Sequence, residues 1–381
     1  MSRTLLVTND FPPTVGGIQS YLRDFVDTLD PGQVVVFAST QDAEAAEAHD
    51  ASLPYRVIRW PRRVMLPTPA TAREMSRIIR EHGVDTVWFG AAAPLALMGA
   101  AARRAGAGRI IATTHGHEVG WSMLPGARQV LRRIGGSADV VTYISDYTLG
   151  RFRRAFGPRP EFVHLPSGVD TEWFHPDGPA ERAATRGRLG LGEGPLVVCI
   201  SRLVPRKGQD QLIRAWPDVR RAHPDARLVI VGAGSYGRTL RRLAAPLADA
   251  VVFTGPLSAP DMRAVLAAAD VFAMPARTRG GGLDVEGLGI VYLEAQACGV
   301  PVVAGDSGGA PETVTEDTGV VVDGRDLGEL TAALTGLLDD PQLRARMGQA
   351  GRRHATGHWT WNIMGARLRA LVAPGQADIL P

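Results

Sequence analysis

The chain has 381 residues, enough for two or three domains, and its 45% hydrophobic and 21% charged residues are typical of a folded globular protein. Its 42 Lys and Arg residues against 39 Asp and Glu leave a net charge of +3, too small an excess for a general nucleic-acid coat. Two cysteines are too few for a disulfide framework. No apolar run has the length of a signal peptide or a membrane span. We therefore expect a cytoplasmic protein whose membrane contact can only be peripheral.

Short β-branched runs alternate with amphipathic segments along the first half of the chain. Strands are predicted at 4–9, 34–39, 84–90, 109–115 and 139–145. Helix-like segments lie between them, among others at 19–29, 71–83 and 128–136. Apolar strands separated by helices predict a parallel sheet that is covered on both faces.

The second half repeats this architecture without a repeated sequence. Strands are predicted at 195–201, 226–232, 250–255, 270–275 and 301–306. A segment rich in Gly, Pro and charge, 164–195, separates the two series. We expect an α/β protein with two Rossmann-like domains, 1–167 and 168–357, that face an interdomain cleft, and a last helix within 358–381 that packs back on the first domain.

Two glycines, Gly16 and Gly17, follow the first strand and open the first helix-like segment. Glycines there let the backbone approach a ligand, and free N–H groups at a helix start favour an anion. The spacing is not the dinucleotide fingerprint, and a plain tight turn is the alternative. Asn9, Asp10 and Gln19 flank the turn and are candidates for contacting a polar substrate.

A second motif, His115-Gly116-His117-Glu118, ends the strand at 109–115. Side chains at the carboxyl end of a parallel strand face the ligand-binding edge of the sheet. The motif lacks the helical spacing of zinc hydrolases. Three alternatives stay open: a metal site, a histidine that donates a hydrogen bond to a polar substrate, and a His–Glu pair that only caps the loop.

Three cations, Arg202, Arg206 and Lys207, lie between the strand at 195–201 and a helix-like segment. Arg offers a planar fork, Lys a point charge, and the helix start adds its dipole. This arrangement suits two neighbouring phosphates. A solvated basic turn is the alternative.

The fourth motif holds Glu286 and Glu294, separated by seven residues, around a glycine-rich turn. If a helix begins near Gly289, its N–H groups can hold a phosphate. Glu294 can then accept from ribose hydroxyls, and Glu286 can hold the hydroxyls of a sugar. The two carboxylates could also be the acid/base pair of a glycosidase. The neighbouring phosphate-binding features favour a nucleotide sugar.

Together the SRLVPRKG segment, the E-x7-E pair and the Gly16-Gly17 turn resemble the retaining glycosyltransferases of family 4, which have the GT-B fold. The likeness covers nearly the whole chain. More narrowly, TNDFPP, GGIQSYL, TTHGHEVGWSMLP and MPARTRGGGLDVEGLGI resemble the actinobacterial mannosyltransferases that act on phosphatidylinositol monomannoside.

The resemblance implies roles for the matching residues. Implied catalytic residues are His115, near the reacting carbon, with Arg202, Lys207 and Glu286. Implied donor-binding residues are Gly16, Gly17, Arg202, Arg206, Lys207, Leu257, Glu286, Gly287, Leu288, Gly289, Ile290 and Glu294. Gln19 is the implied acceptor-binding residue. Asn9 and Asp10, which flank the glycine turn, and His117 are further acceptor-binding candidates.

The activity that the resemblance implies is transfer of mannose from GDP-mannose to the inositol of phosphatidylinositol monomannoside. The α-1,6 linkage gives the dimannoside on the route to lipomannan and lipoarabinomannan. The resemblance implies front-face substitution, in which the leaving diphosphate helps to take the acceptor's proton, with no cofactor and no metal. Charge that builds on the β-phosphate is then stabilised by the cations.

The lipid acceptor implies an anionic inner-membrane surface as a partner. Basic candidates are Arg62-Arg63 beside Trp60, the helix-like segment 71–83, Arg128, Arg132, Arg133, Arg151, Arg153 and Arg154. Another lipid acceptor, such as glucuronosyl diacylglycerol, is one alternative, and a non-catalytic protein that binds a nucleotide sugar is another. A nucleic-acid partner is disfavoured because basic and aromatic residues do not interleave.

Overall fold

The structure is a computed structural model that describes residues 2–247 and 249–373. The chain forms two compact units. One runs to Gly168 and resumes at Trp361, and the other is Val169–Thr360. The C-terminal part of the helix predicted at 358–381 falls on residues 374–381, which lie outside the described residues.

The first unit is built on a parallel sheet. Its strands are β1 (Thr4–Thr8), β2 (Val34–Ser39), β3 (Arg56–Trp60), β4 (Thr86–Phe89), β5 (Arg109–Thr113), β6 (Val140–Tyr143) and β7 (Glu161–His164). They lie in the order β3-β2-β1-β4-β5-β6-β7. Its helices before Gly168 are α1 (Gly17–Val26), α2 (Ala43–Asp50), α3 (Pro69–His82), α4 (Gly99–Ala105), α5 (Glu118–Met123), α6 (Pro125–Ser137) and α7 (Asp146–Phe156).

The second unit has the same architecture. Its helices are α8 (Pro179–Arg188), α9 (Gln209–Ala222), α10 (Gly237–Ala244), α11 (Ala259–Ala267), α12 (Ile290–Ala297), α13 (Leu327–Asp339) and α14 (Pro341–His358). Its strands are β8 (Leu196–Ile200), β9 (Arg227–Val231), β10 (Val251–Gly255), β11 (Val271–Met274), β12 (Val302–Gly305) and β13 (Gly319–Val322). The strand order is β10-β9-β8-β11-β12-β13, and all the pairs are parallel.

The last described helix, α15 (Trp361–Val372), belongs to the first unit. The ring of Trp361 meets that of Phe25 edge-to-face at 5.0 Å. The Thr86 hydroxyl donates to the carbonyl of Val372 at 2.9 Å. Aromatic packing and this buried hydrogen bond therefore fix both ends of α15 on the first sheet and α1.

The predicted fold class is confirmed, because both units are parallel sheets with helices between their strands. Every predicted strand is present. The prediction was wrong in omitting three strands: β3, β7 and β13. Each of them is the outermost strand of its sheet. In β3 and β7 the exposed positions carry Arg56 and Glu161, so these strands lack the continuous apolar runs that marked the interior strands. The strand β13 is itself a short apolar run, so its sequence does not explain its omission.

The interior strands β1, β2, β4 and β8 are buried at every residue, which explains their apolar sequences. Parallel strands leave their carboxyl ends along one edge of the sheet, and the loops there are free to differ. The predicted site residues lie on such loops or in the first turns of the helices that follow them. No helix in the described ranges has the length and apolar character needed to cross a membrane.

Candidate active site

The predicted site residues form two groups, one in each unit. In the first unit, Asp10 follows β1 and its Oδ1 accepts from Gln19 Nε2 at 3.0 Å. Partial burial raises the pKa of Asp10, and the nearby His117 opposes this rise. Three of the four predicted acceptor-binding side chains, those of Asp10, Gln19 and His117, therefore lie in one polar group at the end of β1.

The fourth, Asn9, is engaged elsewhere. Its Nδ2 donates to the carbonyl of Met65 at 2.9 Å, and its Oδ1 accepts from the N–H of Met65 at 2.6 Å. The amide thus pairs with the backbone as a neighbouring strand would, and it fixes the loop after β3 beside the loop after β1. Its role in binding an acceptor stays a prediction.

The Gly16-Gly17 turn opens α1 as predicted. Gly16 is the N-cap, no side chain caps the helix start, and the first turn holds no acidic residue. A Cβ on Gly16 would lie 2.3 Å from Gln19 Oε1, whereas a Cβ on Gly17 would meet nothing within 4 Å. Gly17 is exposed, so packing within the unit does not demand glycine there. Open space beside free N–H groups is what an approaching anion requires.

His115 lies against the sheet and is neutral. Its Nε2 is 2.6 Å from the carbonyl oxygen of Gly90, and its ring meets that of Tyr21 edge-to-face at 5.0 Å. A carbonyl only accepts, so Nε2 carries the hydrogen. Burial lowers the pKa of His115 to about 4. The donating nitrogen is thus committed to Gly90, and Nδ1, which has no partner in the described ranges, offers a ligand a lone pair rather than a hydrogen.

Glu118, which the sequence argument left without a role of its own, is buried at the start of α5. Its carboxylate accepts from the backbone N–H of His115 at 3.1 Å and from the N–H groups of Gly116 and of Glu118 itself. Burial raises its pKa to about 7. Glu118 therefore caps the backbone of this loop, but in the described residues it forms no side-chain pair with either histidine. In the described ranges no three His, Cys, Asp or Glu side chains are grouped to hold a metal ion.

In the second unit, the three predicted cations lie between β8 and α9. Arg202 is exposed and has no ion-pair partner in the described ranges. Arg206 is half-buried, with Nη1 3.5 Å from Asp284 and Nε 3.8 Å from Glu286. These long contacts leave the Arg206 guanidinium weakly compensated. The turn therefore offers two guanidinium groups to an anion.

Lys207 and Glu286 form a close ion pair that joins two loops. The distance from Nζ to Oε2 is 2.6 Å, and the side chains are only 12% and 8% exposed. A buried charge is costly unless a partner of opposite charge compensates it, so each member of this pair depends on the other. The predicted diphosphate cation and the predicted sugar carboxylate are thus brought into direct contact.

The glycine turn leads into α12 as predicted. Gly289 is the N-cap with φ of +86°, and no side chain caps the helix. A Cβ there would lie 2.6 Å from the ring of Tyr292, so glycine is required both by its backbone angle and by this contact. Tyr292 is buried below, and its hydroxyl donates to Met274 O at 2.5 Å. The buried ring of Tyr292 therefore supports the backbone of residues 287–290.

Glu294 lies one turn into α12 and is half-buried. Burial raises its pKa to about 7, and in the described ranges its carboxyl has no hydrogen-bond partner. A ligand that donates hydrogen bonds to this unpartnered carboxyl would therefore bind favourably. Leu257 lies between β10 and α11 and is also half-buried; its implied role in binding the donor stays a prediction.

The sequence argument missed the residues that hold Glu286 in place. The N–H of Glu286 donates to Ser307 Oγ at 3.2 Å, and the N–H of Gly309 donates to the carbonyl of Glu286 at 3.0 Å. Ser307 also contacts the hydroxyl of Thr278 at 3.2 Å. Ser307 and Gly309 follow β12, and the sequence Ser-Gly-Gly at 307–309, directly after a predicted strand, could have indicated them.

Comparisons with known proteins identify relatives of both halves. The family model described as glycosyltransferase family 4 matches residues 15–173, and that of the glycosyl transferases group 1 matches residues 181–354. A Corynebacterium glutamicum protein, named a GDP-mannose-dependent monoacylated α-(1-6)-phosphatidylinositol monomannoside mannosyltransferase, is 65% identical over 96% of each chain. A Mycolicibacterium smegmatis α-(1-6)-phosphatidylinositol monomannoside mannosyltransferase is 60% identical over 97% of this chain and 98% of the relative.

Solved structures share the fold at low sequence identity. Anabaena Alr3699/HepE in complex with UDP has a TM-score of 0.79 at 20% identity over 97% of this chain and 98% of the other. Sucrose-phosphate synthase from Thermosynechococcus elongatus has a TM-score of 0.78 at 22% identity over the same shares. This likeness establishes the architecture of two Rossmann-like domains.

Proposed function

Because the chain belongs to the glycosyltransferase family that contains these phosphatidylinositol monomannoside mannosyltransferases, we propose that it carries out the same transfer. Mannose moves from GDP-mannose to the inositol of phosphatidylinositol monomannoside, and an α-1,6 linkage gives the dimannoside. The observation that carries this proposal is the contact of Lys207 with Glu286 beside the start of α12. It joins a diphosphate cation, a sugar carboxylate and a helix N-terminus in one place.

The cations of the second unit are proposed to stabilise the leaving group. As the bond from the sugar C1 to the β-phosphate oxygen breaks, negative charge grows on the diphosphate. Arg202 and Arg206 are weakly compensated and can meet that charge, and Lys207 adds a point charge. In front-face substitution the acceptor oxygen bonds to C1 on the same face, and its proton passes to the departing diphosphate. This proposal requires no metal.

His115 is proposed to contact a substrate hydroxyl as an acceptor. Its Nε2–H is held by Gly90, and burial keeps the pKa of the ring far below neutrality. The Nδ1 lone pair can therefore orient a hydroxyl near the reacting carbon but cannot supply a proton to it. Asp10 and Gln19, which are joined by a hydrogen bond, are proposed to bind hydroxyls of the inositol.

We place the membrane contact at the corner formed by the loops after β1 and β3. Val15, Val64 and Leu66 are 95%, 58% and 54% exposed, and Arg62 and Arg63 beside them are exposed as well. The pairing of Asn9 with Met65 holds these two loops together. Apolar side chains next to arginines favour an anionic leaflet, at about 1 kcal/mol for each basic residue near its surface.

The helix-like segment at 71–83 is a less suitable membrane-binding surface than the corner formed by the loops after β1 and β3. It forms α3, whose Met75, Ile78 and Ile79 are buried in the core of the first unit. Arg77 on its outer side is paired with Glu74 and Glu81. Its apolar face is therefore already covered. The α5–α6 corner, with Met123 and Leu124 44% and 62% exposed, is a second exposed surface and a suitable control.

The function is tested by transfer of radiolabelled mannose from GDP-mannose into anionic vesicles that contain EDTA. Label on phosphatidylinositol monomannoside, and none on phosphatidylinositol, is the expected result. Label on phosphatidylinositol itself would reassign the chain to an earlier mannosylation. Absence of transfer to either lipid, with GDP still bound, would contradict the proposal and direct the search to acceptors such as glucuronosyl diacylglycerol.

The membrane surface is tested separately by co-sedimentation with vesicles of anionic and of neutral lipid. The variant Val64→Ser/Leu66→Ser is expected to lose binding to anionic vesicles, and Leu124→Ser serves as the matched control at a similarly exposed leucine. Equal loss in both variants would contradict the placement at the β1–β3 corner.

A further inference from the structure

A short segment, Pro275–Thr278, connects β11 to the glycine turn and is enclosed by backbone from other loops. A Cβ on Gly208 would lie 2.0 Å from the carbonyl oxygen of Pro275, and a Cβ on Gly305 would lie 1.9 Å from that of Ala276. Backbone therefore packs directly on backbone at this place. Any shift of the segment must move the loops that follow β8 and β12.

Arg277 lies in this segment and holds the cation-bearing turn by two kinds of contact. Its backbone N–H donates to the carbonyl of Arg206 at 2.8 Å. Its Nη2 is 2.9 Å from both carboxylate oxygens of Asp210, in the first turn of α9. The side chains of Arg277 and Asp210 are only 13% and 8% exposed. A buried pair of this kind is strongly destabilised when one partner is removed, so it fixes geometry.

The other end of the same turn has its own attachment. Gln209 is fully buried, and its Nε2 donates to Ser201 Oγ at 2.7 Å and to the carbonyl of Arg202 at 3.2 Å. Gln209 therefore holds the Arg202 end of the turn, and Arg277 holds the Arg206 end. Residues 201–208 are attached at both sides, and the cations lie between.

We propose that Arg277 is a positioning residue that sets where Arg206 and Lys207 stand relative to the β-phosphate of a bound nucleoside diphosphate. This inference rests on the proposed function. Arg277 does not itself bind phosphate, because Asp210 already compensates its guanidinium. It acts through the carbonyl of Arg206 and the helix start at Asp210. Arg277 lies in the MPARTRGGGLDVEGLGI segment, but the sequence analysis assigned it no role.

The consequence is a change in selectivity between diphosphate and monophosphate. If Arg277 places the cations at the β-phosphate, its loss weakens binding of GDP and leaves binding of GMP nearly unchanged. A general loss of structure would weaken both nucleotides alike. The ratio of the GDP affinity to the GMP affinity therefore distinguishes a positioning role of Arg277 from a merely structural one.

Isothermal titration of the full chain with GDP and with GMP, without acceptor, provides the test. In Arg277→Met we expect GDP affinity to fall about tenfold and GMP affinity to stay within about twofold, as expected for loss of a preorganised charge contact. Arg186→Met is the matched control: Arg186 is also 13% exposed and pairs with Asp270, at the opposite end of the strands. This control is expected to keep the wild-type ratio. Arg277→Lys should restore part of the GDP affinity, because a lysine keeps the charge beside Asp210.

The variant Asp210→Asn provides a second test, which does not require the Arg277→Met variant to fold well. It keeps the size of the side chain and one of the two oxygens that accept from Arg277, but it removes the charge and replaces the other oxygen with an NH2 group that cannot accept. A smaller loss confined to GDP is expected. Parallel loss of GDP and GMP affinity in Arg277→Met and Asp210→Asn would overturn the inference, and so would an unchanged ratio. A wild-type chain that binds GDP no better than GMP would instead show that the phosphate site itself is wrongly assigned.

Discussion

The two groups of candidate residues are held in different ways. In the second unit, side chains of opposite charge hold each other, as in the pairs of Lys207 with Glu286 and Arg277 with Asp210. In the first unit, two of the candidate side chains are held by backbone: Asn9 by Met65, and His115 by Gly90. Charge pairing makes the second group sensitive to any single charge change. Backbone anchoring makes the first group tolerant of charge and sensitive to shape.

The largest effect is expected from Lys207. Lys207→Met removes the point charge that is proposed to meet the diphosphate, and kcat should fall by a factor of about 10²–10³, as for other preorganised charge stabilisers. Lys207→Arg should also lose most of the activity, because a larger, planar guanidinium replaces the compact ammonium of a side chain that is only 12% exposed. The measurement is initial rate of mannose transfer at saturating donor. Activity of Lys207→Arg close to the wild type would contradict the importance of the ammonium geometry.

Glu286→Gln breaks the same pair from the other side. Transfer should fall by about two orders of magnitude because the sugar loses a charged hydrogen-bond acceptor, whereas GDP should bind more tightly, because Lys207 and Arg206 lose the carboxylate that competes with phosphate. Titration with GDP measures the second effect. Asp284→Asn is the control, since Asp284 contacts Arg206 only at 3.5 Å and should change GDP affinity less. Weaker GDP binding in Glu286→Gln would mean that Glu286 contacts the nucleotide itself.

A pH dependence is expected from Glu294. Burial raises its pKa to about 7 in the free protein, so the carboxyl is neutral below that pH and ionised above it. Ribose hydroxyls donate best to the ionised form, so GDP affinity should be constant above about pH 8. Below about pH 7 it should fall as the pH is lowered, with a limiting slope of about tenfold per pH unit. Glu294→Gln should remove this part of the pH dependence and leave only the titration of the phosphate. Identical profiles for the two proteins would contradict the ribose-binding role.

The smallest effect on catalysis is expected in the first unit, from Asn9→Ala. The backbone N–H and carbonyl of Met65 lose their partner, which should lower the free energy of unfolding by about 1–3 kcal/mol. The KM for the lipid acceptor should change little if Asn9 acts only on the loop. Thermal unfolding and acceptor titration measure the two quantities. A large rise in KM with unchanged stability would assign Asn9 to the acceptor after all.

Much of the fold and of the candidate site could be predicted from the sequence, because local sequence patterns determine these features. Interior strands are buried on both faces and read as unbroken apolar runs, which is why β1, β2 and β8 were found. The edge strands β3 and β7 are partly exposed and carry polar residues, so they have no such run. The start of α12 behind Gly289 was also predictable, since a glycine turn before an apolar helix is a local pattern.

The positioning residues could not be predicted in the same way. Arg277 and Asp210 are 67 positions apart, and Glu286 and Ser307 are 21 apart. Nothing local in an arginine of PARTRG distinguishes a buried partner of Asp210 from a solvated surface charge. Such contacts depend on which loops the strand order β8-β11-β12 brings together, and that order is a property of the whole sheet.

One feature of the site gives the chain an unusual chemical selectivity. Lys207 is the only lysine among the 42 Lys and Arg residues, so the protein carries a single side-chain amine, and that amine touches Glu286. Reductive methylation with ¹³C-formaldehyde would therefore place one side-chain NMR probe in the donor site, with the chain's terminal amine as an internal reference. Its chemical shift would report donor binding, departure of the sugar and release of GDP from one atom. Amine-reactive reagents would act on this protein as site-directed inhibitors, and bound GDP should protect it.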